Sequence, residues 1–190
     1  MPICQTDALI VVDVQVDFCP GGSLAVPDGD EIIPVVNRLV RLFEEKGGLV
    51  VFSRDWHPQH HKSFKEEGGV WPPHCVQNTK GAEFHPDLFL PDSAVVVSKA
   101  TDLSREAYSA FDGTGLSETL RAAGTKRVFV CGLATDFCVK STAMDAKKLG
   151  YDTYVILDAS RGINEESVQK SLEEMKETGI KVVKSPEIES

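Results

Sequence analysis

A short apolar run leads directly into an ionisable side chain at Asp13, Asp55, Lys99 and Asp158, and a fifth leads into the turn Gly132 to Cys138. In an open parallel sheet the carboxyl ends of the strands are where ligands bind, so these positions are read first. Cys138 closes the segment Cys131-Gly-Leu-Ala-Thr-Asp-Phe-Cys138, in which Thr135 reads as an N-cap and Cys138 falls in the first turn of the following helix. A helix start favours negative charge, so the expectation is a cysteine with a depressed thiol pKa. The amides of the same turn have no intrahelical partners and could hold an oxyanion formed when the sulfur attacks a carbonyl carbon. A nucleophilic cysteine needs a base, and Asp13 is the candidate, with Lys99 favouring both anions. Alone, Asp13 reads as a loop cap and Lys99 as a solvated strand end; their joint occurrence with Cys138, expected at three neighbouring strand ends, points to a hydrolase.

A second constellation is built from histidine. All five, His57, His60, His61, His74 and His85, lie within 29 consecutive positions. Asp55-Trp-His57 on an extended segment would turn both side chains to one side, and His74 in Trp71-Pro-Pro-His-Cys75 offers a third ligand. Three ligands leave an open Lewis-acid site on zinc, iron or manganese. His61, Ser63, Glu66, Glu67 and His85 are candidates for a further ligand or a supporting partner. Phe18, Trp71 and Tyr108 are aromatics near these motifs that could stack on a planar ring.

The elements that must position these groups follow from periodicity. Continuous apolar runs at Ala8–Val12, Leu49–Ser53, Ala94–Ser98, Arg127–Cys131, Thr153–Leu157 and Ile180–Val183 have the pattern of strands covered on both faces. Between them Ile32, Val36, Leu39, Val40 and Phe43 recur at helical spacing, and further helices fit Leu116–Ala123, Asp136–Leu149 and Glu165–Thr178, each followed by a glycine. The expectation is a single α/β domain over residues 1–190: an open, mostly parallel six-stranded sheet with helices on both faces, a three-layer α/β/α arrangement. Residues 55–92 break the rhythm with a proline-rich segment of no clear period, which at that length is expected to be functional.

Composition narrows the function. With 20 Lys and Arg against 29 Asp and Glu the net charge is −9, which argues against nucleic acid as a partner. No 18-residue apolar run is present, so no membrane span is expected. The amino terminus has no basic region before its apolar stretch, and five cysteines without a CxxC pair do not suit a secreted disulfide framework. The expected compartment is the cytoplasm; whether copies associate as a homo-oligomer is open. No GxGxxG or GxxxxGK[ST] follows any strand, which disfavours a nucleotide-binding protein. A non-catalytic metal or redox module would have no need of Asp13 and Lys99 at strand ends.

Taken in order, Val12-Asp-Val-Gln-Val-Asp-Phe-Cys-Pro-Gly-Gly-Ser-Leu24, Ser53-Arg-Asp-Trp-His-Pro58, Trp71-Pro-Pro-His-Cys-Val-Gln-Asn-Thr-Lys-Gly-Ala-Glu-Phe84, Lys99-Ala100 and Gly132-Leu-Ala-Thr-Asp-Phe-Cys-Val139 resemble the nicotinamidases of the isochorismatase-like cysteine hydrolase superfamily. The resemblance implies hydrolysis of nicotinamide, and of pyrazinamide, through a cysteine thioester. It implies Asp13, Lys99 and Cys138 as the catalytic triad, and Asp55, His57 and His74 as ligands of one divalent metal ion, zinc foremost with iron or manganese as alternatives. It further implies Phe18 and Trp71 in the ring pocket, and a cis peptide before Ala134 that turns the amides of Ala134 and Cys138 to the oxyanion. Another small-amide hydrolase of the superfamily is the alternative, disfavoured by the Asp-x-His and Trp-Pro-x-His-Cys elements that metal-free members lack.

Overall fold

The computed structural model describes residues 1–189. Six strands, β1 (Asp7–Val12), β2 (Leu49–Asp55), β3 (Val95–Lys99), β4 (Arg127–Leu133), β5 (Asp152–Arg161) and β6 (Lys181–Val183), form one sheet in the order β3-β2-β1-β4-β5-β6. Every neighbouring pair is parallel. Helices α1 (Ile33–Glu45), α2 (Leu116–Ala122), α3 (Lys140–Lys148), α4 (Glu165–Glu177) and the short α5 (Ser185–Glu189) cover it; α5 was not expected from the sequence.

Alternation along β1 divides the core in two. Leu9 and Val11 face one layer, where Val36, Leu39, Val40 and Phe43 of α1 meet Phe129. Ala8, Ile10 and Val12 face the other, with Leu116 and Leu120 of α2, Ala143 of α3 and Leu172 and Met175 of α4. Burying each large side chain contributes roughly 1.5–3 kcal/mol, so the central strands are a rigid base for whatever their ends carry.

Those ends differ from the sequence expectation. Strands β2 and β3 include Asp55 and Lys99 rather than stopping before them. Strand β5 continues past Leu157 to Arg161, because pairing with β4 resumes after a register shift, from Val130↔Val155 to Gly132↔Ser160. Asp158 therefore lies inside a strand, where its carboxylate accepts the Ser185 amide (2.8 Å) and hydroxyl (2.5 Å) and caps α5. The register shift requires glycine at 132: φ is +118°, and a Cβ there would sit 2.2 Å from the Val12 carbonyl oxygen.

The order of the sheet reverses at β1 and β4, which opens a crevice at their carboxyl ends. The helix expected from Asp136 begins differently. Residues Thr135–Val139 form a π turn in which the Val139 amide reaches back to the Ala134 carbonyl (3.1 Å), and α3 follows from Lys140. Thr135 is not the cap; Ala134 holds that position, with no side-chain capping bond. Between β2 and β3 the chain carries only 3₁₀ turns. It is tied down by Asp17, whose carboxylate accepts the Cys75 amide (2.8 Å), and by Gln15, whose amide donates to the carbonyls of Asp55 and Ala82 (2.9 Å each).

Candidate active site

Lys99 is the hub of the crevice. Its ammonium, fully buried, lies 2.8 Å from Asp13 Oδ2 and 2.5 Å from Asp55 Oδ1, and donates to Cys138 Sγ at 3.5 Å and the Ala107 carbonyl at 3.4 Å. Asp13 takes φ +51° as β1 ends and accepts the Ser53 hydroxyl at 2.8 Å. The three residues do not come from three adjacent strand ends, as the sequence reading had them. Strand β2 lies between β1 and β3, so Asp55 sits between Asp13 and Lys99 and the lysine neutralises two carboxylates. The Leu133–Ala134 peptide is cis, and the Ala134 carbonyl accepts the amides of Phe137 and Val139, one on either side of Cys138 (3.1 Å each).

The electrostatics reverse one expectation. The Cys138 thiol is held well above its ordinary pKa, first by burial, with Lys99 opposing and the Asp13 and Asp55 carboxylates adding to the rise. A turn dipole acting on a buried sulfur that faces two anions does not offset that. Burial also raises Asp13 above the usual carboxylate range, against the pull of Lys99. For Asp55 burial acts upward, but Lys99 and His57 outweigh it and the net shift is down. Lys99, despite burial, is held well above its ordinary value by the two carboxylates. The resting site thus pairs a neutral thiol with a permanent ammonium and with an aspartate made more basic than usual.

Beside this hub, the ligating atoms of Asp55, His57 and His74 all lie within 4.8 Å of one another, and all three residues are buried. Asp55 and His57 project from one extended run whose bonds to Cys75 and Gln77 keep it strand-like. Both imidazoles direct Nδ1 at a backbone carbonyl, His57 to His74 (2.9 Å) and His74 to Pro72 (2.8 Å). That leaves each Nε2 facing the cluster with its lone pair, and His57 Nε2 is buried without a hydrogen-bond partner among the described residues. Backbone bonds that fix the tautomer of two histidines around an unsatisfied nitrogen suit a divalent cation. Of the further ligand candidates, His61 has both ring nitrogens engaged, by Ser63 Oγ (2.7 Å) and the Arg105 carbonyl (2.9 Å). Glu66 and Glu67 turn outward to the exposed His60, and His85 accepts the Asp87 amide away from the cluster. Glu106, which the sequence reading missed, places Oε1 3.9 Å from His57 Nε2. It lies in a stretch without periodicity, so only its distance of seven residues from Lys99 marked it.

Phe18, Trp71 and Tyr108 line one cleft with Asp55, His74 and Cys138 at its floor. Phe18 meets the His74 ring edge-on at 5.6 Å. Across from it the Trp71 indole N–H donates to the Tyr108 hydroxyl (3.1 Å), and both rings pack on Phe137. Phe137, Leu133 and Ile163 also line it and were not singled out from the sequence; an apolar residue beside a nucleophile has the same sequence signature as core.

A buried cysteine with an acid, a lysine and a cis-peptide turn on a 3-2-1-4-5-6 parallel sheet is the arrangement expected of a cysteine hydrolase. The Isochorismatase domain family model matches residues 7–187, and the chain belongs to that family. It is 43% identical over 178 residues to the nicotinamidase of Escherichia coli (strain K12), covering 83% of this chain and 84% of that protein. Among solved structures, the pyrazinamidase of Pyrococcus horikoshii in complex with zinc superposes with a TM-score of 0.92 at 56% identity, covering 94% of this chain and 99% of that one. The PnC1 protein of L. infantum in complex with nicotinate gives 0.93 at 38% identity, covering 99% and 98%. No helix among the described residues is long and apolar enough to cross a membrane.

Proposed function

We propose that the chain is a nicotinamidase, hydrolysing nicotinamide to nicotinate and ammonia, and pyrazinamide in the same way. The observation that carries this is the buried Lys99 ammonium joining Asp13 to Asp55 and Cys138, the last two of which line an aromatic cleft. It is supported by the nicotinamidase and pyrazinamidase relatives.

In this reading the pyridine ring lies between Phe18 and Trp71, whose plane Tyr108 fixes, and its carboxamide reaches Cys138. Asp13 takes the thiol proton as Sγ attacks the carboxamide carbon, and the amides of Ala134 and Cys138 receive the oxyanion. The C–N bond breaks as Asp13 returns the proton to the leaving nitrogen, giving ammonia and a thioester. Asp13 then deprotonates a water that attacks the thioester carbon; the C–S bond breaks, nicotinate leaves and the thiol is restored. Throughout, Lys99 remains charged and keeps Asp13 a carboxylate between proton transfers. Asp55, His57 and His74 would hold one divalent ion, zinc by analogy with the Pyrococcus horikoshii protein, with iron or manganese as alternatives that also accept imidazole and carboxylate ligands. When bound, it supplies a Lewis-acid anchor for the ring nitrogen. The five cysteines, none in a disulfide, support a cytoplasmic location.

The direct test is release of ammonia from nicotinamide by the purified chain. Turnover that requires Cys138 supports the reading; a metal-replete protein that releases none overturns it.

A further inference from the structure

We propose that Asp136, which touches neither the cleft nor the reacting atoms, is a positioning residue that couples the oxyanion turn to the pocket wall at Ile163. The inference rests on the nicotinamidase reading. Asp136 is 8% exposed, two residues before Cys138 in the π turn. Its Oδ1 accepts the Ile163 amide at 3.1 Å, while Oδ2 is buried without a hydrogen-bond partner among the described residues.

A buried carboxylate with one oxygen left unpaired is a poor device for stability alone, and such local violations are expected where function demands them. What the single bond achieves is a tie between two chain segments. One is the turn that presents the amides of Ala134 and Cys138. The other is the segment leaving β5, where Gly132↔Ser160 and Leu133↔Arg161 carry residues 161–163 alongside the cis Leu133–Ala134 bond. The fit is tight: a Cβ on Gly162 would lie 2.0 Å from Val168 Cγ2 and 3.0 Å from Asp136 Oδ1. Ile163, directly after it, contributes to the cleft wall although it is 36% exposed. Thus one carboxylate orients the oxyanion donors against the segment after β5 that walls the pocket, and small displacements of such donors are costly in rate.

The test compares wild type, Asp136→Ala, Asp136→Asn, which keeps an acceptor at Oδ1, and Asp136→Ser, too short to reach the Ile163 amide. Besides kinetics on nicotinamide, two inhibitors are measured. Cys138 Sγ bonds to the carbonyl carbon of pyridine-3-carbaldehyde as Asp13 takes the thiol proton, and the C=O π electron pair moves onto the oxygen, which the oxyanion amides hold; nicotinate fills the cleft without that adduct. Expected for Asp136→Ala are a kcat lower by about tenfold to a hundredfold, aldehyde inhibition weakened in proportion, nicotinate inhibition within about threefold of wild type, and recovery of most of the rate in Asp136→Asn. If the alanine variant does not fold, Asp136→Ser reads the same ratio. A folded Ala or Ser variant with wild-type kcat overturns the proposal, as does equal weakening of both inhibitors, which a merely structural role would give. Wild-type protein that leaves nicotinamide intact refutes the nicotinamidase reading instead, and the two failures are distinct.

Discussion

Replacing Lys99 by Met tests the hub most directly, because methionine keeps the unbranched apolar stem out to the ε position and removes the ammonium. At 2.8 Å and 2.5 Å from Asp13 and Asp55, the ammonium attracts each carboxylate by about 6 kcal/mol at an effective dielectric of about 20. Most of this offsets the cost of burying three charges. Without the cation two carboxylates face each other in a site closed to water, and one must take up a proton. Asp13 is that one: its pKa is already raised by burial, whereas Asp55 is held down by His57 and His74 as well as by Lys99. A protonated Asp13 cannot accept the thiol proton, so kcat/KM at pH 7 should fall by about a thousandfold or more. Because Asp13 now ionises at higher pH, the rising limb of the pH–rate profile should move upward. Breaking a buried ion pair costs about 3–5 kcal/mol when the partner stays charged; with Asp13 neutralised we expect about 2–4. For a chain of this size that lowers Tm by roughly 4–16 °C. The assay is ammonia release between pH 5 and 9, with thermal unfolding followed by circular dichroism. A Lys99→Met protein that keeps kcat/KM within tenfold of wild type, with an unmoved profile, would refute the assignment of Lys99 and Asp13 together.

Cys138→Ala should abolish turnover while leaving the melting curve close to wild type, since the small side chain still fits the buried turn; activity within tenfold of wild type would exclude a thioester. His57→Ala should lower bound metal well below one ion per chain in elemental analysis and raise KM more than it lowers kcat, and stoichiometric metal in that variant would move the site elsewhere. Benzamide, which lacks the ring nitrogen, should show a kcat/KM lower by on the order of tenfold to a thousandfold than nicotinamide, and equal turnover would mean that Asp55, His57 and His74 do not read the ring. Away from the site, Asp7 receives Arg127 through two bonds (2.7 and 2.8 Å) and the Cys4 amide (2.9 Å). Burial acts to raise its pKa, but these bonds outweigh it and hold it below the ordinary value. Its stabilisation is therefore present above the unfolded pKa near 4 and lost as pH falls through the lower folded value. Asp7→Asn should cost about 1–3 kcal/mol at pH 7, with the gap to wild type closing below about pH 4 in acid-unfolding curves; a gap that stays constant down to pH 2 would show that the charge is not the cause.

The sequence by itself determined the architecture and the candidate residues of the site. Uninterrupted apolar runs such as Leu9–Val12 and Val128–Cys131, alternating with a helix repeat like that of Val36 to Phe43, leave only a sheet covered on both faces, since each run must bury both of its sides. A residue that ends such a run is delivered to one edge of the sheet, which is why Asp13, Lys99, Asp55 and the turn before Cys138 could be found without coordinates. Tertiary structure decided what depends on juxtaposition. The order of the strands put Asp55 between Asp13 and Lys99, and no periodicity in the chain encodes that order. The register shift at Gly132 lengthened β5, withdrew Asp158 into a strand and brought Ile163 to the cleft. Burial among two carboxylates raised the Cys138 thiol that a local reading of the helix start had placed low, because desolvation and through-space charge act on the folded environment rather than on neighbours in sequence. Glu106 came to His57, and Phe137 to Trp71, for the same reason: the contacts join segments tens of residues apart, and the chain carries no local signal of them.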